Sequence, residues 1–179
     1  VFNASIQEFL DTKERLANYF DESLEEDIFD YIPPQKTNQI FTPKKAVKLM
    51  VDMIEQNNPH LFKSRQTKFI DLYTKSGLYI TEIVKRLNEG LKDQIPDYDE
   101  RIKWIVENQV YACAPSNIIY HIVKQYIYGN LQNISTSNLV ECDLMNYIEE
   151  DKAVEQLLKI MGDEDLKFDV VIGNPPYQE

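Results

Sequence analysis

Apolar residues between Ser5 and about Phe29 recur at helical intervals, at Ile6, Phe9, Leu10, Leu16, Phe20, Leu24 and Ile28, with acids on the remaining faces. This period predicts one or two amphipathic helices, and the run Asp21-Glu22-Ser23-Leu24-Glu25-Glu26-Asp27 fits a solvated helix face. Tyr31-Ile32-Pro33-Pro34 closes the segment, since proline has no N–H to give to a helix interior. After a loop, Phe41-Thr42-Pro43 leads into Ala46, Val47, Leu49, Met50, Val51 and Ile54. Thr followed by Pro at a first helical position predicts an N-cap for this amphipathic helix.

The pattern then changes. Lys68 to Leu72, Gln109 to Cys113, Asn138 to Cys142 and Phe168 to Ile172 are short apolar runs of strand length. Between them lie helical patterns at Tyr79–Leu91, Asp97–Asn108, Pro115–Ile127 and Asp151–Met161. Strands alternating with helices predict an α/β protein with a parallel, doubly wound sheet, whose ligands bind at the carboxyl ends of the strands. Tyr73-Thr74-Lys75-Ser76-Gly77 is the turn between the first strand and its helix. Residues 1–40 read as a helical lead-in and 41–179 as part of a catalytic domain. Four strands are few for such a sheet, so it is expected to be incomplete at its C-terminus.

Length and composition narrow the function. A chain of 179 residues with 43% hydrophobic and 11% aromatic content can bury one substantial core. Its 30 acidic and 19 basic residues give a net charge of −11, the wrong sign for a surface that only grips phosphate backbones. Any nucleic-acid grip is therefore expected from segments or partners beyond these residues. No apolar run approaches the ~20 residues of a membrane span, and no secretory pattern opens the chain, so a cytoplasmic setting is expected. Cys113 and Cys142 read as buried free thiols, and His60 and His121 form no metal-ligand spacing with them. Pro96-Asp97 with Asp165-Leu166-Lys167 only superficially approaches a metal-dependent nuclease core, because the intervening elements already belong to the α/β pattern.

The most specific chemistry is Asn174-Pro175-Pro176-Tyr177, directly after Asp169-Val170-Val171-Ile172-Gly173. The prolines fix torsions and offer no N–H, so the Asn oxygen and the Pro175 carbonyl can be aimed as acceptors at an NH₂ group. Tyr177 supplies a flat face for a ring.

In the order Phe41-Thr42-Pro43, Asp71 with Ser76-Gly77, Asp143, then Asn174-Pro175-Pro176-Tyr177, the chain resembles the adenine-specific DNA methyltransferases of restriction–modification systems. The resemblance covers about Phe41 to Tyr177. It implies a Rossmann-like sheet that binds S-adenosylmethionine and methylates the exocyclic amine of adenine. Double-stranded DNA is the implied partner, gripped by segments not present here, with a restriction endonuclease domain or subunit as a possible companion.

By the same resemblance, Asn174, Pro175, Pro176 and Tyr177 are the catalytic residues, and Phe41, Thr42, Pro43, Asp71, Ser76, Gly77 and Asp143 bind the cofactor. Asp71 would stand near the methionine ammonium and Asp143 would accept from the cofactor's adenine amine. The chain departs from the family at Leu72, where Pro is usual, at Lys75, where Gly is usual, and at Tyr111-Ala112-Cys113-Ala114-Pro115, which lacks the acid that receives the ribose hydroxyls. Two alternatives stay open: an RNA or protein-glutamine amine methyltransferase, and a methyltransferase-like module without cofactor that serves as a scaffold or DNA-positioning subunit.

Overall fold

A computed structural model describes residues 42–129, 131, 133–147 and 152–175. The amphipathic segment expected over residues 1–40 lies outside them. Each expected strand is present and trimmed at its ends: β1 Phe69–Asp71, β2 Val110–Ala114, β3 Leu139–Glu141 and β4 Val170–Ile172. The helices are α1 Lys44–Asn57, α2 Leu78–Gly90, α3 Tyr98–Asn108, α4 Asn117–Val123 and α5 Ala153–Met161.

All strand pairs are parallel, in the order β3-β2-β1-β4. The chain steps outward from β1 to β2 and β3, then returns through α5 to lay β4 on the other flank of β1. The strand order thus reverses between β1 and β4, where connections leave in opposite directions and open a crevice above the carboxyl ends. This is the doubly wound parallel arrangement that the alternating pattern predicts.

Both faces of the sheet are covered, which is why its strands read as unbroken apolar runs. On one face Phe69, Val110, Ala112, Leu139 and Ile172 pack with Val47 and Val51 of α1, Ile80, Ile83 and Leu87 of α2, and Ile102 and Ile105 of α3. On the other, Ile70, Tyr111 and Cys113 meet Cys142, Leu144, Leu157 of α5 and Leu166. Side chains alternate along a strand, so Asp71 shares the face of Phe69 and rises at the tip of β1. Each large core side chain contributes about 1.5–3 kcal/mol by leaving water. Both cysteines are free and buried, and burial raises their thiol pKa values, leaving them protonated and inert.

Polar residues fasten the strand ends. Asp169 accepts from the Lys68 N–H at 2.8 Å, locking the entry of β4 onto that of β1. The buried Gln109 donates to the carbonyls of Ser64 (2.8 Å) and Thr67 (3.0 Å), holding the approach to β1. Asp97 caps α3 by accepting from the Glu100 N–H at 2.8 Å, a structural role for the residue that superficially suggested a nuclease.

Local details differ from the sequence reading. Thr42 does not cap α1; Pro43 occupies the cap position, with no side-chain cap bond. The proline carbonyl accepts from Ala46 and Val47, so the helix starts without using the threonine hydroxyl. The helix expected through Ile127 is α4 followed by a π-helical turn over Lys124–Tyr128, and Ser116 caps it. A 3₁₀ turn at Pro59–Lys63 follows α1 where no element was expected. No helix among the described residues is long and apolar enough to cross a membrane.

Candidate active site at the switch point of the sheet

Asp71 is the centre of the crevice. It ends β1, is only 2% exposed, and its Oδ1 accepts from the Tyr73 N–H at 3.1 Å. Burial disfavours its charge and pushes its pKa up to about 7, against the opposing pull of the Tyr73 N–H, the Thr74 hydroxyl and the Lys75 charge. The carboxyl is therefore poised between its two protonation states near neutrality.

The turn after Asp71 is drawn over the sheet edge because the Thr74 N–H donates to the Cys113 carbonyl of β2 at 2.8 Å. Gly77 then takes the left-handed conformation, φ 76°, that glycine alone adopts without strain, and its carbonyl accepts from the Thr81 N–H and hydroxyl. These bonds begin α2 directly beneath the turn. Ser76 is buried, with its hydroxyl 3.4 Å from the Leu78 N–H.

β4 closes the crevice from the other flank. A β-carbon at Gly173 would stand 2.6 Å from Asp71 Oδ1, so glycine is what lets the two strand ends approach. The next residue, Asn174, donates from Nδ2 to Thr42 Oγ1 at 3.0 Å, across 132 positions of sequence. Thr42, Asp71, Ser76, Gly77 and Asn174 thus line one small pocket.

Of the remaining candidates, Pro43 caps α1, and Pro175 is exposed just past Asn174. Asp143 accepts from the Met145 N–H at 3.1 Å and so starts the 3₁₀ turn Leu144–Tyr147. Its charge also reaches Tyr73, where it adds to desolvation in raising the phenol pKa. Phe41, Pro176 and Tyr177 lie outside the described residues.

Val47, Tyr73, Leu78 and Tyr79 also line the pocket, and sequence reasoning missed them as site residues. Only their adjacency to the Asp71 turn and to the start of α1 signalled them. Lys75, the departure from the family pattern, is buried in the same wall with its ammonium 5.7 Å from the Tyr73 ring centroid. Desolvation lowers its pKa while the Asp71 charge opposes that shift.

Residues 108–179 match the family model described as Eco57I restriction-modification methylase, which takes in β2, β3, β4 and Asn174. A Mycoplasma pneumoniae protein (strain ATCC 29342 / M129 / Subtype 1), described as an uncharacterized adenine-specific methylase, is 21% identical over 211 residues and 88% of this chain. Over these stretches the chain is similar in sequence to a restriction-modification methylase model and to a protein described as an adenine-specific methylase. It spans about half the length of that curated relative.

The fold is found in a solved structure. A nuclease-deletion mutant of the Type ISP restriction-modification enzyme LlaGI, solved with a DNA substrate mimic, superposes over 84% of this chain and 15% of its own, with a TM-score of 0.58 and 17% identity. The matched methylase model implies a methyl donor, and the chemistry of the residues here suits one with a cationic amino-acid end. Asp71 offers a buried acceptor, and Gly173 keeps a cradle beside it that a β-carbon would fill. At the tip of β2, by contrast, Ala114 is fully buried and offers no acid.

Proposed function

We propose that this chain forms the cofactor-binding and amine-orienting part of an adenine-specific DNA methyltransferase in a restriction–modification enzyme. One observation carries the reading: Thr42, Asp71 and Asn174, far apart in sequence, border one pocket at the switch point of a parallel sheet. S-adenosylmethionine, when bound, supplies an electrophilic methyl group on a sulfonium.

The ionised Asp71 carboxylate accepts from an ammonium in the pocket, a charge-assisted bond strengthened by burial. Asn174 Nδ2 is engaged by Thr42, which leaves Oδ1 as the end that accepts from the target amine. The Pro175 carbonyl is the second acceptor and Tyr177 the stacking surface for a base flipped out of its duplex. Two acceptors on one NH₂ draw its hydrogens out of the ring plane and free the nitrogen lone pair for in-line attack on the methyl carbon. Asn174 and the Pro175 carbonyl would hold the amine while the bound sulfonium supplied the methyl group, and the proton displaced from the nitrogen would pass to solvent. Catalysis then consists of positioning and exclusion of water, with no covalent intermediate on the protein.

Calorimetric titration of the full chain with S-adenosylmethionine tests the cofactor half of this reading, and saturable binding lost in Asp71→Ala is expected. Methyl transfer by the full-length gene product to adenine-containing duplexes tests the other half. Asn174→Ala should abolish transfer and Ser137→Ala, on an exposed loop, should not. A second reading, a methyltransferase-like scaffold without cofactor, draws on Lys75 within the pocket wall and on the missing acid at Ala114. An absence of binding in the same titration would favour it.

A further inference from the structure

The acid absent from the tip of β2 has a neighbour one strand away. In the β2–β3 ladder Ala114 is paired in register with Glu141, and the Cys142 N–H donates to the Ala114 carbonyl at 2.8 Å. Register partners in a parallel pair direct their side chains to the same face, so Glu141 stands on the face that Ala114 occupies. Ala114 is fully buried, whereas Glu141 is exposed. The Glu141 carboxylate is also held: Oε2 accepts from Asn117 Nδ2, at the start of α4, at 2.8 Å.

Glu141 and the Asp71 turn lie on the same carboxyl edge of one sheet. The Asp71 turn is tied to β2 through Thr74 and Cys113, and β3 lies beyond β2. Glu141 is thus two strand spacings from β1, about 10 Å along the carboxyl edge. A nucleoside with an amino-acid tail can span that interval. A cis-diol needs two neighbouring acceptors, and one Asn donor occupies only part of a carboxylate's accepting capacity.

We infer that Glu141, oriented by Asn117, is the acceptor for the ribose hydroxyls of the adenosine ligand, taking from β3 the role that Ala114 cannot perform on β2. The inference rests on the cofactor reading given under Proposed function. It assigns the ligand class as a nucleoside with a free 2′,3′-diol.

The test is calorimetry on the full chain with S-adenosylhomocysteine and its 2′-deoxy and 3′-deoxy counterparts, for the wild type, Glu141→Gln and Asp143→Asn. The ratio of ribo to deoxy affinity is internal to each variant, so a partly unfolded sample does not alter it. The wild type is expected to prefer the intact diol by about tenfold, the scale of one hydrogen bond to a charged group. Glu141→Gln should erase most of that ratio and Asp143→Asn should preserve it. An undiminished ratio in Glu141→Gln, or a ratio lost only in Asp143→Asn, overturns the assignment while leaving the cofactor reading intact. If the wild type binds none of the three ligands, both fall together.

Discussion

The Thr42 hydroxyl receives the Asn174 side-chain amide at 3.0 Å, joining the segment before α1 to the segment after β4. An asparagine amide has two ends of opposite polarity, and with Nδ2 on the Thr42 hydroxyl its Oδ1 is left for the pocket. A threonine spent on capping α1 could not receive that amide, and the cap position is indeed taken by Pro43.

Thr42→Val should therefore act on orientation rather than on folding. On the function proposed above, kcat for adenine methylation by the full-length gene product is expected to fall about tenfold, equivalent to one neutral hydrogen bond of about 1–1.5 kcal/mol. Thr42→Ser, which keeps the hydroxyl, should recover most of the rate. A valine variant as fast as the wild type would show that the bond has no part in presenting Asn174.

On the cofactor role proposed for Asp71, ligand affinity depends on pH. A ligand ammonium binds the ionised carboxylate, and burial holds this carboxyl protonated until pH approaches about 7. Affinity for S-adenosylhomocysteine should rise from pH 5.5 to 7.5 and then level, and Asp71→Asn should bind weakly with a flat profile. Linkage gives the opposite trend for the free protein. A carboxyl whose folded pKa exceeds its unfolded value of 3.8 favours folding most at low pH, and loses that contribution as pH climbs through about 7. Denaturant midpoints should show the wild type losing ground to Asp71→Asn over that interval.

Gly173→Ala places a methyl group 2.6 Å from Asp71 Oδ1. That carboxyl is buried and tethered to the Tyr73 N–H, so the strand ends must part. Overpacking of this kind costs about 1–3 kcal/mol. Chemical denaturation should read the loss, and calorimetry should read weaker ligand binding from a displaced Asp71. Unchanged stability together with unchanged affinity would contradict the close approach.

Arg86 of α2 pairs with Asp52 and Glu55 of α1, reaching Glu55 Oε2 at 3.0 Å, and it lies 3.8 Å from the buried Glu82. Glu82 also meets Lys85 at 3.3 Å. This cluster fixes α1, whose first residues follow Thr42. Arg86→Met should destabilise the protein by about 2 kcal/mol, below the full cost of breaking a buried pair because the α1 carboxylates are partly solvated. A smaller loss at low salt than at high salt would argue against an electrostatic origin.

Much of the architecture was legible from the chain alone. Four apolar runs of strand length, separated by helical periods, specify alternating β and α elements, and a helix between consecutive strands brings each new strand back in the same direction, so the sheet is parallel. Asp97 and Ser116 were readable as helix starts because their short polar side chains can satisfy the N–H groups left open there. Thr42 was misread as a cap for the same reason. Its sequence context is that of a cap, and the competing partner lies 132 residues away.

Sequence by itself determined the element order, the two-sided core and the short list of polar residues that could meet an amine or a cofactor. Local periodicity and side-chain chemistry act over a few residues, and those features need nothing more. Only the tertiary structure decided that β4 returns beside β1, that Gly173 presses against Asp71, that Thr42 turns the Asn174 amide, and that Glu141 stands in register with Ala114. Each of these depends on which strands become neighbours and in what register. That choice is made by packing among distant segments, and no local pattern encodes it.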